Sequence, residues 1–290
     1  MEHSQGPAPP IQPPAPAHPA PPPDPPELPE GADPRPRWPW WYAPAAMVTA
    51  FVAISIVVAV IGLVAGASGT DLEDPPASFN LVATLIQDLL LIAVAIGFAS
   101  LTARPRAWHF GFRRTRFFPA LGWVVLGFVV FLVFSAFYSL ALGLDEEQTT
   151  LDDLGADEST FALVSGAVLV IVVAPIIEEV FFRGFVYRTL RNSLPIWAAA
   201  LIAGTIFGAI HAPSGPEAVP SLAVLGLVFC LIYERTGSLY PVIALHAFNN
   251  TVAYIVGTGA FALSAALGLV VLVACVVTPR IAGRAAPALP

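Results

Sequence analysis

The sequence predicts an all-α fold, a polytopic transmembrane helix bundle of about eight spans, and three observations carry that reading. The first is composition: the 290 residues are 57% hydrophobic and 11% charged, with a mean hydropathy of +0.76, far more apolar than a soluble domain. The second is length. Apolar runs of about twenty residues, enough to cross roughly 30 Å of hydrocarbon, recur from Ala45 to the C-terminus and exclude one large soluble core. The third is the clustering of arginines between those runs. Spans are expected near 45–66, 79–102, 118–143, 161–187, 195–212, 218–233, 239–257 and 259–277. They divide the chain into a cytoplasmic tail (1–42), N-terminal transmembrane helices (43–155), a core rich in polar residues (156–257), and a last helix with a short cytoplasmic tail (258–290).

Residues 1–42 hold most of the chain's 30 prolines, bury too little apolar surface to fold and are expected to be disordered. They do not read as a signal peptide, because the first apolar run begins only after them. Cys230 and Cys275 fall inside apolar spans and behave as small hydrophobes, so neither a disulfide framework nor a cysteine metal site is expected.

The chain has no lysine, and its 13 arginines alternate with acidic loops. Arg35 and Arg37 precede the first span. Arg104, Arg106, Arg113, Arg114 and Arg116 follow the second, Arg183, Arg188 and Arg191 lie toward the end of the fourth, Arg235 follows the sixth, and Arg280 and Arg284 follow the eighth. The intervening loops carry Asp71, Glu73 and Asp74, then Asp145 to Glu158, with no arginine. The pattern fits both termini inside, with the plasma membrane as the expected location. Trp38, Trp40, Trp41 and Tyr42 read as an interfacial aromatic anchor.

A charged residue at a helix centre costs about 2.5–3.5 kcal/mol on insertion scales, so intramembrane ionisable groups need a reason. Asp88, Glu178, Glu179, Arg183, His211 and His246 are such groups. Helical neighbours point about 100° apart, so Glu178 and Glu179 need separate roles. Glu179 and Arg183 are spaced i, i+4 with the acid first, the favoured ion-pair orientation. Glu178 is left without a local cation, as suits a general base. Pro175 deletes a backbone hydrogen bond and should loosen the helix just before the acids.

Gly204, Gly208 and His211 form an i, i+4, i+7 stripe, so the histidine should face a closely packed helix. A hairpin turning near Asn192 to Pro195 would bring Glu178 and His211 level. His246 and Asn250 share one face of the seventh span and can both donate hydrogen bonds to a developing oxyanion, with Asn249 slightly off it. Asp88 is expected to be interhelical glue, satisfied by its neighbour Gln87.

At these residues the sequence resembles the CPBP family, the type II CAAX prenyl proteases and bacteriocin-processing enzymes also called Abi proteins. The motifs are Glu178-Glu179-Val180-Phe181-Phe182-Arg183, Phe207-Gly208-Ala209-Ile210-His211 and His246-Ala247-Phe248-Asn249-Asn250, with similar flanking text over about residues 160–255. The resemblance implies an eight-helix intramembrane endopeptidase. Glu178 and His211 would activate water, His246 and Asn250 would form the oxyanion site, and Glu179, Arg183 and Phe207 would support them. It also implies a divalent metal such as Zn2+ as a candidate cofactor, for which His211, His246 and Glu178 make a His₂Glu set. The partners it implies are a membrane-associated peptide or protein substrate and the bilayer, and no nucleic acid.

Two other classes compete. One is a non-enzymatic membrane scaffold or immunity-type binding protein with the polar residues as helix glue, and the other is a membrane hydrolase acting on a non-peptide bond. A transporter would show repeated halves, and no internal repeat is apparent.

Overall fold

The structure, a computed structural model, describes residues 38–70, 75–143, 156 and 159–282. Of the tail expected over residues 1–42, residues 1–37 lie outside the described residues, as do the acidic loop residues at 71–74, 144–155, 157 and 158, and residues 283–290.

In hydrocarbon every backbone polar group must be satisfied within its own segment, so long apolar runs form helices. The described chain is helical throughout: α1 (Tyr42–Ala67), α2 (Ala77–Ser100), the short α3 (Ala107–Phe110), α4 (Phe117–Leu142), α5 (Thr160–Arg191), α6 (Ile196–Ala209), α7 (Val219–Thr236), α8 (Tyr240–Thr258) and α9 (Phe261–Ala282). Six of these segments are long and apolar enough to cross a membrane. The other two expected spans differ for separate reasons. α8 has the length, but His246, Asn249 and Asn250 dilute its hydropathy. α6 has only 14 residues, about 21 Å at the helical rise, too short to span.

α6 stops early because Pro213 and Gly215 follow it. The chain leaves α6 through two 3₁₀ turns, Ala212–Ser214 and Pro216–Ala218, before α7 begins. His211 therefore sits in the turn beyond the helix and not on its surface, with its own N–H donating to the Gly208 carbonyl at 3.0 Å. The small-residue stripe nonetheless acts as its spacing suggests. A Cβ on Gly204 would meet Leu227 N at 2.6 Å, and one on Gly208 would meet Val219 O at 2.5 Å, so α6 and α7 pack backbone against backbone.

One end of the bundle gathers the arginine-rich connections. The Asn192 amide, in the α5–α6 turn, donates to the Trp38 carbonyl at 3.0 Å. The Ser238 hydroxyl, in the α7–α8 turn, donates to the Arg113 carbonyl at 2.7 Å. Arg191 donates twice to Glu234, at 2.9 and 3.2 Å, and Tyr187 donates to the same carboxylate at 2.9 Å, tying α5 to α7. Arg235 lies over the Trp123 ring and Arg280 over Phe117.

The aromatic cluster at this end is only half an interfacial anchor. Trp40 and Trp41 are exposed, whereas Trp38 is buried between Phe110 and Phe185, with ring centroids 5.3 and 5.0 Å away, and Tyr42 is buried too. Gly111 makes the close approach of α3 possible. It has φ 106°, and a Cβ there would meet the Tyr233 ring at 2.5 Å.

Because α6 touches α7 through glycine backbone, Gly208→Val should force the pair apart and destabilise the fold by about 1–3 kcal/mol or more. Thermal unfolding of the purified protein in detergent checks this, with the exposed Leu201→Val as a control that should stay near wild type.

Candidate active site

The site begins with a helix that cannot be regular. Pro175 has no N–H, and in α5 the segments Leu169–Val173 and Val180–Tyr187 widen into π turns on either side of the Ala174–Glu179 stretch that carries both acids. The Ala174 N–H donates to Leu169 O, five residues back. Val170 O then has neither a regular i+4 donor nor an i+5 donor, since position 175 is proline. The Asn250 side chain from α8 supplies the missing donor, with Nδ2 at 2.9 Å from Val170 O. Irregular backbone in α5 is thus satisfied by one of the predicted site residues.

Beyond Pro175, Glu179 and Arg183 form the expected i, i+4 pair, with Nη1 2.9 Å from Oε1 and both side chains 0% exposed. Arg183 Nη2 also donates to the Gly226 carbonyl at 3.1 Å. The guanidinium lies against the faces of Phe207 (4.3 Å) and Phe229 (4.8 Å). This is the place of Phe207 in the site: its ring contacts Arg183, and its ring centroid is 4.9 Å from that of His211 and 5.8 Å from that of His246.

Sequence reasoning did not find that Glu179 has a second partner. The same Oε1 accepts from His246 Nδ1 at 2.8 Å, so Glu179 bridges an arginine on its own helix and an imidazole on α8. Helix periodicity could not reveal this, because it fixes neighbours along one helix and not between helices. With Nδ1 held by Glu179, His246 presents Nε2 toward Glu178, 4.0 Å from Oε2. That separation is ionic contact and longer than a hydrogen bond. Glu178 Oε2 is buried and has no hydrogen-bond partner among the described residues.

His211 approaches from the turn after α6, half-buried, with Nδ1 2.7 Å from the Phe207 carbonyl. Among the described residues no hydrogen bond joins it to Glu178; the imidazole closest to Glu178 by recorded contact is His246. Nor do any three His, Cys, Asp or Glu side chains among the described residues gather closely enough to hold a metal ion, so the His211, His246 and Glu178 set is not assembled as a metal centre. Gln87 does not satisfy Asp88: Asp88 is 1% exposed while Gln87, about 100° round α2, is exposed, and Asp88 Oδ2 is buried without a hydrogen-bond partner among the described residues.

A cavity of about 970 Å³ lies elsewhere. It runs between α4, α8 and α9, from Arg114 and Arg280 to Phe128 and Phe248. Its α8 wall is Pro241, Ala244, Leu245 and Phe248, the face turned away from His246 and Asn250. It is a lipid-side groove behind the polar site.

The comparisons with known proteins fall on the same segment. Residues 160–252 match the family described as "Type II CAAX prenyl endopeptidase Rce1-like". Those residues bring together Glu178, Glu179, Arg183, His246 and Asn250 in the geometry above. Over those residues the chain is similar to that family. A relative from Bacillus subtilis (strain 168), "Putative membrane peptidase YdiL", is 25% identical over 139 residues, 44% of this chain and 53% of the relative. The chain thus spans about half the length of that curated relative. No solved structure matches it. The similarity supports an intramembrane protease in general, in an integral membrane protein whose helices suit a bilayer.

Glu179→Gln should destabilise the protein by about 3–5 kcal/mol, because it leaves the buried Arg183 without its counter-charge. The measurement is thermal unfolding in detergent alongside activity. A variant that unfolds like wild type but is inactive would show that Glu179, and not Glu178, carries the proton chemistry.

Proposed function

We propose that this chain is a CPBP-type endopeptidase that hydrolyses a peptide bond of a membrane-associated substrate, with Glu178 as general base. The observation that carries the reading is the opposed setting of two adjacent acids. Glu179 is saturated by Arg183 and His246, whereas Glu178 keeps a buried, unpartnered oxygen 4.0 Å from His246 Nε2. A water set to one side of the line between them reaches both groups at hydrogen-bond distance.

In this mechanism the water oxygen attacks the carbonyl carbon and its proton passes to Glu178, with His211 as the second group that orients the water. The carbonyl π electrons move onto oxygen. His246, in its doubly protonated form, donates from Nε2 to that oxyanion while Glu179 holds Nδ1, and Asn250 contributes the Nδ2 hydrogen not engaged by Val170. Collapse breaks the C–N bond, and Glu178 returns the proton to the leaving nitrogen. The acid–base groups that hydrolysis needs are all side chains of this chain. Placing both termini on the cytoplasmic side of the plasma membrane is part of the same proposal, and the gathering of arginine-rich connections at one end of the bundle supports it.

The test is a panel of peptides incubated with purified protein in detergent or liposomes. Glu178→Gln, isosteric but unable to take a proton, should lower kcat by roughly 100- to 10,000-fold with KM little changed. Asn250→Ala should lower kcat by roughly 100- to 1000-fold; weakened binding at unchanged kcat would remove Asn250 from the oxyanion site. Cleavage should persist after dialysis against a chelator, and loss restored by Zn2+ would instead assign His211, His246 and Glu178 to a metal.

A further inference from the structure

The mechanism leaves one buried acid unused. Asp88 sits mid-way along α2, which packs against the Ala174–Glu179 stretch of α5 and the π turn after it. By helical rise Asp88 and Glu178 lie at similar depths, roughly 18 and 20 Å from the arginine-rich end of their helices. Asp88 is 1% exposed, and its Oδ2 and Glu178 Oε2 are both buried without a hydrogen-bond partner among the described residues. The charged side chains on the elements packed against α2 are Glu178, Glu179 and Arg183, with Arg188 and Arg191 further along α5 and no charged residue in α1. Arg183 is committed to Glu179, and Gln87 faces away. No cation is left for Asp88.

Two buried acceptor oxygens with no donor between them are costly, and one proton satisfies both. It makes one carboxyl a donor and the other an acceptor, whereas two neighbouring carboxylates in low dielectric cannot both be ionised. Glu178 must be the ionised partner if it is to accept a proton from water.

We propose that Asp88 is a positioning residue of the site, held as the neutral acid and donating a hydrogen bond, directly or through one water, to the Glu178 carboxylate. The inference rests on the reading of Glu178 as general base. The Asp88 donor fills one lone pair of Glu178 Oε2 and fixes the plane of the carboxylate, leaving the second lone pair of that oxygen to meet the attacking water. No proton leaves Asp88 during the cycle, so what the site requires at position 88 is a donor and not a charge.

That requirement separates two substitutions. Asparagine matches the neutral acid in size and keeps a donor, so Asp88→Asn should retain kcat within about threefold of wild type. Leucine has similar volume and no donor, so Asp88→Leu should lose roughly tenfold or more in kcat with KM little changed. Its melting temperature should equal or exceed that of wild type, since an apolar residue replaces a buried acid in lipid. A purely structural role would move stability with activity. Infrared spectroscopy of protein in liposomes gives a readout without turnover: wild type should show the carbonyl band of a protonated carboxyl, absent from both variants. The proposal is overturned if Asp88→Asn is as impaired as Asp88→Leu, which would mean that a charge is needed. It is equally overturned if Asp88→Leu keeps full activity or if the band survives in Asp88→Asn. Should Glu178→Gln stay active, the protease reading fails separately, and the infrared result still decides whether Asp88 is protonated.

Discussion

A guanidinium with no exposure to solvent or lipid, that of Arg183, is the constraint on which the rest of the core depends. A charge in low dielectric must be both neutralised and hydrogen-bonded, and each requirement recruits a different helix. Glu179 neutralises it from one turn away, the Gly226 carbonyl of α7 accepts from its far edge, and the rings of Phe207 and Phe229 cover its faces from α6 and α7. Gly226 can lend its carbonyl only where α7 comes very close to α6. A Cβ on Gly226 would lie 3.0 Å from Gly204 Cα and from Phe207. The glycines of the α6–α7 contact and the arginine of α5 are therefore parts of one arrangement. Glu179, fixed by Arg183, then sets the position of His246 across the bundle.

Pro175 imposes a second constraint through what it lacks. In water a missing backbone donor would be replaced by solvent, but within a membrane the replacement must come from the protein. The π turn before Pro175 leaves Val170 O without a backbone donor, and Asn250 fills that role. The local irregularity of α5 thus specifies where α8 docks, and it does so with a residue one turn from His246. Site geometry and backbone satisfaction are consequently not separable here, and a residue can serve both with different hydrogens of one amide.

What the sequence made legible follows from the range of its signals. Spacing along a single helix is local, so the Glu179–Arg183 pair, the shared face of His246 and Asn250, and the glycine stripe of α6 were all readable and hold in the structure. Contacts between helices depend on which faces meet, and here the reading ran short. The bond from His246 to Glu179 and the burial of Asp88 away from Gln87 carry no spacing signal. The end of α6 before His211 was signalled by Pro213 and Gly215, but the apolar run through residue 212 masked it. Trp38 was read by its neighbours as interfacial, although only packing against Phe110 and Phe185 could place it inside.

Under the proposed mechanism the two adjacent acids answer opposite demands. One acid has to be electrically spent to hold a buried arginine and orient an imidazole, and an acid so engaged has no capacity to gain a proton without releasing Arg183. The other must avoid every permanent cation, because a salt bridge would make protonation during turnover costly. Helical geometry separates these demands at no expense in chain length, since adjacent residues point about 100° apart. Glu179 turns into the aromatic and arginine core, and Glu178 turns toward His246 Nε2. The environment that spares Glu178 from a permanent cation also leaves its Oε2 without a donor among the described residues, and a neutral acid from a neighbouring helix is the kind of donor that can satisfy that oxygen without cancelling its charge.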